Sequence, residues 1–195
     1  MTMTKEIENR VNTMLEIMCL PDGTPIVPVD AIDRLVEMGF FTAPASTKYH
    51  GAYEGGLFDH SYNVTYALLE LTKQCGIRWG RPESPYIIGM FHDLCKCDQY
   101  RHVYLGKTLT NKPMYNPAAW EHNPDTLLKG HGDKSVMLLS QFYKLTEEEI
   151  MCIRYHMGAF TIASEWNDYT GAIHRFPNVL WAHTADMIAA HITEV

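Results

Sequence analysis

His92-Asp93-Leu94-Cys95-Lys96 is the stretch on which the reading of this chain turns. It follows Ser84-Pro85, an N-cap and first-turn proline that open a helix expected to run through Lys96. On that helix His92 and Asp93 stand about 100° apart around the axis, so both can reach one ion if that edge faces a site. Gly89, one turn earlier, leaves room for such an approach. Lys96 falls four residues after His92, on the same face. A lysine beside a cation pair is a natural phosphate contact. As a solvated helix end it would merely favour the dipole.

Similar residues recur outward from this stretch. His60 closes Gly-Gly-Leu-Phe-Asp-His (55–60), His131 sits in Gly-His-Gly (130–132), His156 in Arg-Tyr-His (154–156) and Asp186 in Ala-Asp-Met (185–187). His60 is in line with Val64, Ala67 and Leu71, the buried face of its helix. His156 follows Ile150 and Ile153 on an inward face, and Asp186 lies among Ala182, Ala185, Ile188, Ala189 and Ala190. Any one of these is more often a satisfied core residue than a ligand. A carboxylate in so apolar a helix nevertheless needs a cation or strong donors, because burying it unpaired is costly. The order His, His-Asp, His, His, Asp on otherwise apolar helices points to two hard divalent cations.

The remainder of the chain supplies a helical frame. Ile7, Val11, Leu15 and Met18 recur at spacings of three and four over residues 5–18. Pro21, Gly23, Pro25 and Pro28 break the chain, and Asp30 can cap a short helix ending near Gly39. Residues 41–56 read as a loop, and a long helix follows from about Leu57 to Cys75 with Gly76 as its stop. Residues 98–129 carry several tyrosines and prolines without a helical period, so they read as a long irregular insertion with room for a small hairpin. Asp133 can cap a helix to about Tyr143. Thr146 and Glu149 form a capping box for a helix expected to end at Gly158. Residues 159–176 read as irregular, and a last helix begins near Asn178. The fold class expected is all-α: one helical-bundle domain over residues 41–195, with N-terminal helices in residues 1–40 packing on its core.

Composition narrows the partners. The 195 residues carry a formal net charge of −7, which argues against binding extended nucleic acid through phosphates. No apolar run reaches the roughly 18 residues a membrane helix requires, so no membrane partner is expected. The N-terminus has no apolar signal core, and the five scattered cysteines include no C-x-x-C pair. A cytoplasmic location with reduced thiols is therefore expected.

The series Asp59-His60, His-Asp-Leu-Cys-Lys (92–96), Gly-His-Gly-Asp-Lys-Ser (130–135), Arg-Tyr-His-Met (154–157) and Ala-Asp-Met (185–187) resembles the HD-domain superfamily of metal-dependent phosphohydrolases. Phe-Thr-Ala-Pro-Ala-Ser (41–46), through Lys-Tyr-His-Gly (48–51) to His60, is similar to the HD domain of bacterial 3′–5′ exoribonucleases. The resemblance spans roughly residues 40–190. It implies one ion on His60, His92, Asp93 and Asp186, and a second on Asp93, His131 and His156, with Asp93 bridging. It belongs to the two-metal subset, and the ions could be Mn, Mg, Fe, Ni, Co or Zn.

The expected activity is hydrolysis of a phosphate ester, a nucleotide or related small phosphate, by metal-activated water, with Asp93 and Lys96 catalytic. His50, Lys134 and His183 are weaker candidates for substrate contact. The same ligand order is also similar to the mixed-valence di-iron oxygenases of the superfamily. A nuclease acting on short oligonucleotides and a nucleotide-sensing module are further readings. About 40 residues precede the domain, too few for the OB-fold that the resembling exoribonucleases carry there.

Overall fold

The computed structural model describes residues 3–194; Met1, Thr2 and Val195, at the outer ends of the two expected segments, lie outside the described residues. Eight α-helices and one two-stranded sheet are present among them: α1 Lys5–Ile17, α2 Val29–Met38, α3 Gly56–Cys75, α4 Ser84–Phe91, β1 Tyr100–Lys107, β2 Pro113–His122, α5 Gly132–Leu139, α6 Glu147–Arg154, α7 Trp166–Arg175 and α8 Asn178–Ile188. None of the helices is long and apolar enough to cross a membrane.

The expectation of an all-α chain is corrected by the hairpin. β1 and β2 pair antiparallel, with Tyr100 opposite His122 and Lys107 opposite Pro113. The register slips between His102 and Val103, so Trp120 and Asn116 face consecutive residues of β1 while Pro117 sits in the irregularity. Pro113 begins its strand. Both prolines thus avoid positions where a ladder donor is needed, so a proline-rich stretch can still form a sheet.

Helix ends also differ from the sequence reading. α4 stops at Phe91 rather than Lys96, and residues 94–97 form a 3₁₀ turn. α5 stops at Leu139 and α6 at Arg154, short of Tyr143 and Gly158. Residues 166–175, expected to be irregular, form α7, which buries Tyr169 and Ala172. In α1 the buried stripe is Val11 and Met14, continued by Met18, while Leu15 faces solvent. The Thr146–Glu149 capping box is present as expected, and Gly39 and Gly76 both end their helices in the left-handed conformation.

One apolar cluster runs through the molecule, from Met14 and Leu35 across Leu57, Phe58 and Leu68 to Phe91, Ile153 and Ala185. Phe40, Phe41, Phe58 and Phe91 form its aromatic centre, with ring centroids 5.2–6.0 Å apart. Two glycines let helices approach closely enough to bring the polar cluster together. A Cβ on Gly89 would lie 2.5 Å from Cα of Thr65, so α4 can cross α3 only with hydrogen at that position. A Cβ on Gly132 would lie 2.1 Å from the carbonyl oxygen of Arg154, so the start of α5 abuts the end of α6 under the same condition. The first crossing sets His92 beside His60, and the second sets His131 beside His156. Glu149 is fully buried and accepts hydrogen bonds from Arg81 and Ser84, tying the start of α6 to the α4 entry.

Candidate metal centre

All six residues expected as ligands converge. His60 is in the first turns of α3, and Asp186 lies on α8. His92 and Asp93 follow α4, His131 precedes α5 and His156 follows α6. Three overlapping groups, His60–His92–Asp93, His92–His156–Asp186 and Asp93–His131–His156, bring ligand atoms within 4.8 Å of one another and could hold a metal ion.

The histidines are aimed by helix ends. A helix leaves its last carbonyls without intrahelical donors. His92 Nδ1 lies 2.8 Å from the Gly89 carbonyl oxygen, and His156 Nδ1 lies 2.7 Å from that of Ile153, the same three-residue step back in both cases. A carbonyl only accepts, so each Nδ1 carries a hydrogen and, in the neutral ring, each Nε2 is left with its lone pair. His60 is fixed from outside its helix: its Nδ1 lies 3.0 Å from the carboxylate of Glu194, which also accepts from Asn63. An imidazole that donates one nitrogen to a carbonyl or carboxylate and turns the other inward is a common arrangement of a metal ligand.

The Nε2 atoms of His60, His92 and His156 are buried and have no hydrogen-bond partner. His60 Nε2 comes within 3.1 Å of Asp186 Oδ1, but not in the alignment of a hydrogen bond. Buried polar atoms are rarely left unpaired. Three unpaired nitrogen lone pairs around two carboxylates fit a divalent cation by number and by chemistry.

Asp93 stands between two sets of partners. Its Oδ2 faces His92 Nε2 at 3.4 Å, His60 Nε2 at 3.7 Å and Lys96 Nζ at 2.6 Å. Its Oδ1 faces His131 Nε2 at 3.0 Å and His156 Nε2 at 3.5 Å. Burial disfavours ionisation of this carboxyl, but the Lys96 ammonium, His92 and His131 outweigh it and hold it well below the usual carboxylate range. Asp186 is lowered in the same way, with His60 prevailing over burial. Burial would lower His60, yet Asp186 and Glu194 raise it to about 9. Burial does lower His92. For Lys96, burial is overcome by Asp93 and the ammonium is stabilised.

The weaker candidates fall in different places. The His50 ring lies beside that of His60, tilted 38° with centroids 4.9 Å apart, and burial lowers its pKa. Lys134 is buried in an ion pair with Asp98. His183 Nδ1 lies 2.8 Å from the carbonyl oxygen of His156, so it supports the backbone of a candidate ligand. Arg154 pairs with Asp133 at 2.6 Å. Two neighbours of the cluster carried no signal in the sequence. Glu194 is distant from His60 along the chain, at the end of the π-helical turn Ala189–Thr193 that continues α8. Cys95 puts its thiol 3.3 Å from His131 Nδ1, and burial pushes that thiol up to about 12. The Cys95 backbone N–H donates to Ser135, fixing the 3₁₀ turn against α5.

Comparison of the chain with models of known families, with curated proteins and with solved structures returns no match.

Proposed function

We propose that this chain is a metal-dependent phosphohydrolase of the HD-domain type, acting on a nucleotide or a related small phosphate ester. The carrying observation is the division of the Asp93 oxygens: Oδ2 faces His60 and His92, while Oδ1 faces His131 and His156. A carboxylate placed in that way can be shared by two cations. When bound, two divalent cations supply Lewis acidity, activating water near neutral pH and offsetting charge on phosphoryl oxygens.

The chain's own groups have distinct tasks in this reading. Asp93 bridges. His60, His92 and Asp186 would hold one ion with it, and His131 and His156 the other. The Lys96 ammonium keeps Asp93 ionised with one N–H and has two further donors for a phosphoryl oxygen. Buried walls around His92 and His156 exclude bulk water, which strengthens each of these electrostatic contacts.

The test is phosphate release by chelator-stripped protein resupplied with Mn, Mg, Fe, Ni, Co or Zn. Nucleotides, small phosphate esters and short oligonucleotides are the substrates, with and without oxygen. Hydrolysis that depends on a cation and not on oxygen is expected, together with two ions per chain and none in Asp93→Ala. Oxygen-dependent turnover, or no phosphate release with any ion, would overturn the reading.

A further inference from the structure

Beside the candidate metal centre, the segment after α2 and the β-hairpin enclose an open cavity of about 430 Å³. Its size suits a small organic ligand, for which sites of roughly 300–1,000 Å³ are usual. Planar side chains from the hairpin supply much of the wall: Tyr100, His102, Tyr115 and Trp120, with Pro44 contributed by the facing segment. The His102 ring lies on the Trp120 indole at 3.9 Å between centroids and 25° between planes, forming a two-ring platform.

On the facing segment the exposed Glu54 carboxylate also lines the cavity, and it makes no ion pair among the described residues. The cavity connects to the reaction centre through the chain itself. Cys97, which lines it, directly follows Lys96 at the end of the 3₁₀ turn, and Tyr100 begins the strand that leaves that turn.

We infer that this cavity binds the nucleobase of a mononucleotide, with the phosphate directed toward Lys96 and the His–Asp cluster. The inference rests on the phosphohydrolase reading for the phosphate end and on the hairpin wall for the base end. Aromatic faces suit a base because every base presents a π-face to stack. The Glu54 carboxylate suits the amino edge of a base. A longer strand is disfavoured because the wall has no basic track. Its one arginine, Arg101, is already paired with Glu121 at 3.0 Å and with Asp125 at 3.1 Å.

Free nucleosides separate this inference from the phosphate chemistry, because they carry a base and no phosphate. Their binding to the full chain with Mn²⁺ is measured by calorimetry for the wild type, Trp120→Ala, Trp120→Phe and Tyr115→Ala. Trp120→Ala is expected to weaken adenosine and guanosine binding about tenfold, Tyr115→Ala likewise, and Trp120→Phe less than threefold. KM for the nucleoside monophosphates should rise by the same factors while kcat/KM for glycerol 3-phosphate stays unchanged. Absence of nucleoside binding by the wild type, or equal binding by all four proteins, overturns the inference even if phosphate esters are hydrolysed. Trp120-dependent nucleoside binding by a protein that hydrolyses no ester sustains the cavity and removes the phosphohydrolase reading.

Discussion

Nζ of Lys96 lies 2.6 Å from Oδ2 of Asp93, and both residues are buried. The two are three residues apart, and the 3₁₀ turn over residues 94–97 brings such positions into line, setting Lys96 directly over Asp93. In the metal-free protein the ammonium is the main cation neutralising Asp93. Lys96→Met therefore leaves a buried carboxylate without its partner, which costs on the order of 3–5 kcal/mol. For a chain of this length that corresponds to roughly 10 °C in Tm. Added Mn²⁺ should recover much of the loss, since a bound cation neutralises the same oxygen. Thermal unfolding with chelator and with Mn²⁺ makes the comparison. An equal Tm for variant and wild type in chelator would contradict it.

Glu194 and His60 form the second pairing with a measurable consequence. The carboxylate accepts the Nδ1 hydrogen and so fixes the tautomer that turns Nε2 inward. Removing such an outer partner commonly weakens metal affinity ten- to hundred-fold. Glu194→Gln keeps the size and an acceptor oxygen but loses the charge, so a loss near tenfold is expected. Glu194→Ala should lose nearer a hundredfold. Competition against a chelator of known affinity gives both values, and unchanged affinity in the alanine variant would sink the assignment.

Much of the site was legible because helical spacing alone places His60, His156 and Asp186 on inward faces. The capping box at Thr146 and the stops at Gly39 and Gly76 were equally local signals. Some of what escaped is local: the rings of His92 and His156 lie against carbonyls three residues back, and both helices end before them, short of the apolar pattern. The rest depends on distant partners. The sequence allows a small hairpin in residues 98–129 but does not place its strands, because Pro117 fits only through a register slip and Pro113 only as a strand's first residue. Glu194 was invisible because its partner is 134 residues away. Helix α7 has Gly171, Thr170 and Asp168, poor helix formers whose preference is overridden by burial of Tyr169 and Ala172.

Gly132 separates a packing role from a coordination role. Its missing Cβ is what lets His131 lie beside His156, because any side chain would meet the Arg154 backbone. Backbone cannot rotate away as a flexible side chain can, so Gly132→Ala must push α5 from α6. A destabilisation of about 1–3 kcal/mol is expected from such overpacking. The more diagnostic result is uneven metal loss: the ion assigned to His131 and His156 should weaken more than the one assigned to His60 and Asp186. Titration with Mn²⁺ followed by electron paramagnetic resonance distinguishes one bound ion from a coupled pair. An intact pair of unchanged affinity would show that the close approach does not set the site.

The pH dependence of the metal-free protein has a definite sign. His60 is raised from about 6.5 in the unfolded chain to about 9 in the fold, and His156 moves in the same direction. A group raised on folding stabilises fully below its unfolded pKa and ceases to do so as pH climbs through its folded one. Both contributions are therefore present below about 6.5 and fade as pH rises, that of His60 being lost toward 9. His92 is lowered, so its unfavourable effect is confined below about 6.5 and does not enter the window. Asp93, Asp186 and Glu194 are lowered too, and their contributions remain complete throughout it. The chelator-treated protein should thus lose Tm steadily between pH 6.5 and 9. Metal binding requires neutral imidazoles, so Mn²⁺ affinity should rise over the same interval and offset the decline. His60→Gln should flatten the chelator curve. A Tm that is constant or rising from pH 6.5 to 9 in chelator would show that the Asp186–His60–Glu194 pairing does not hold a proton in the folded chain.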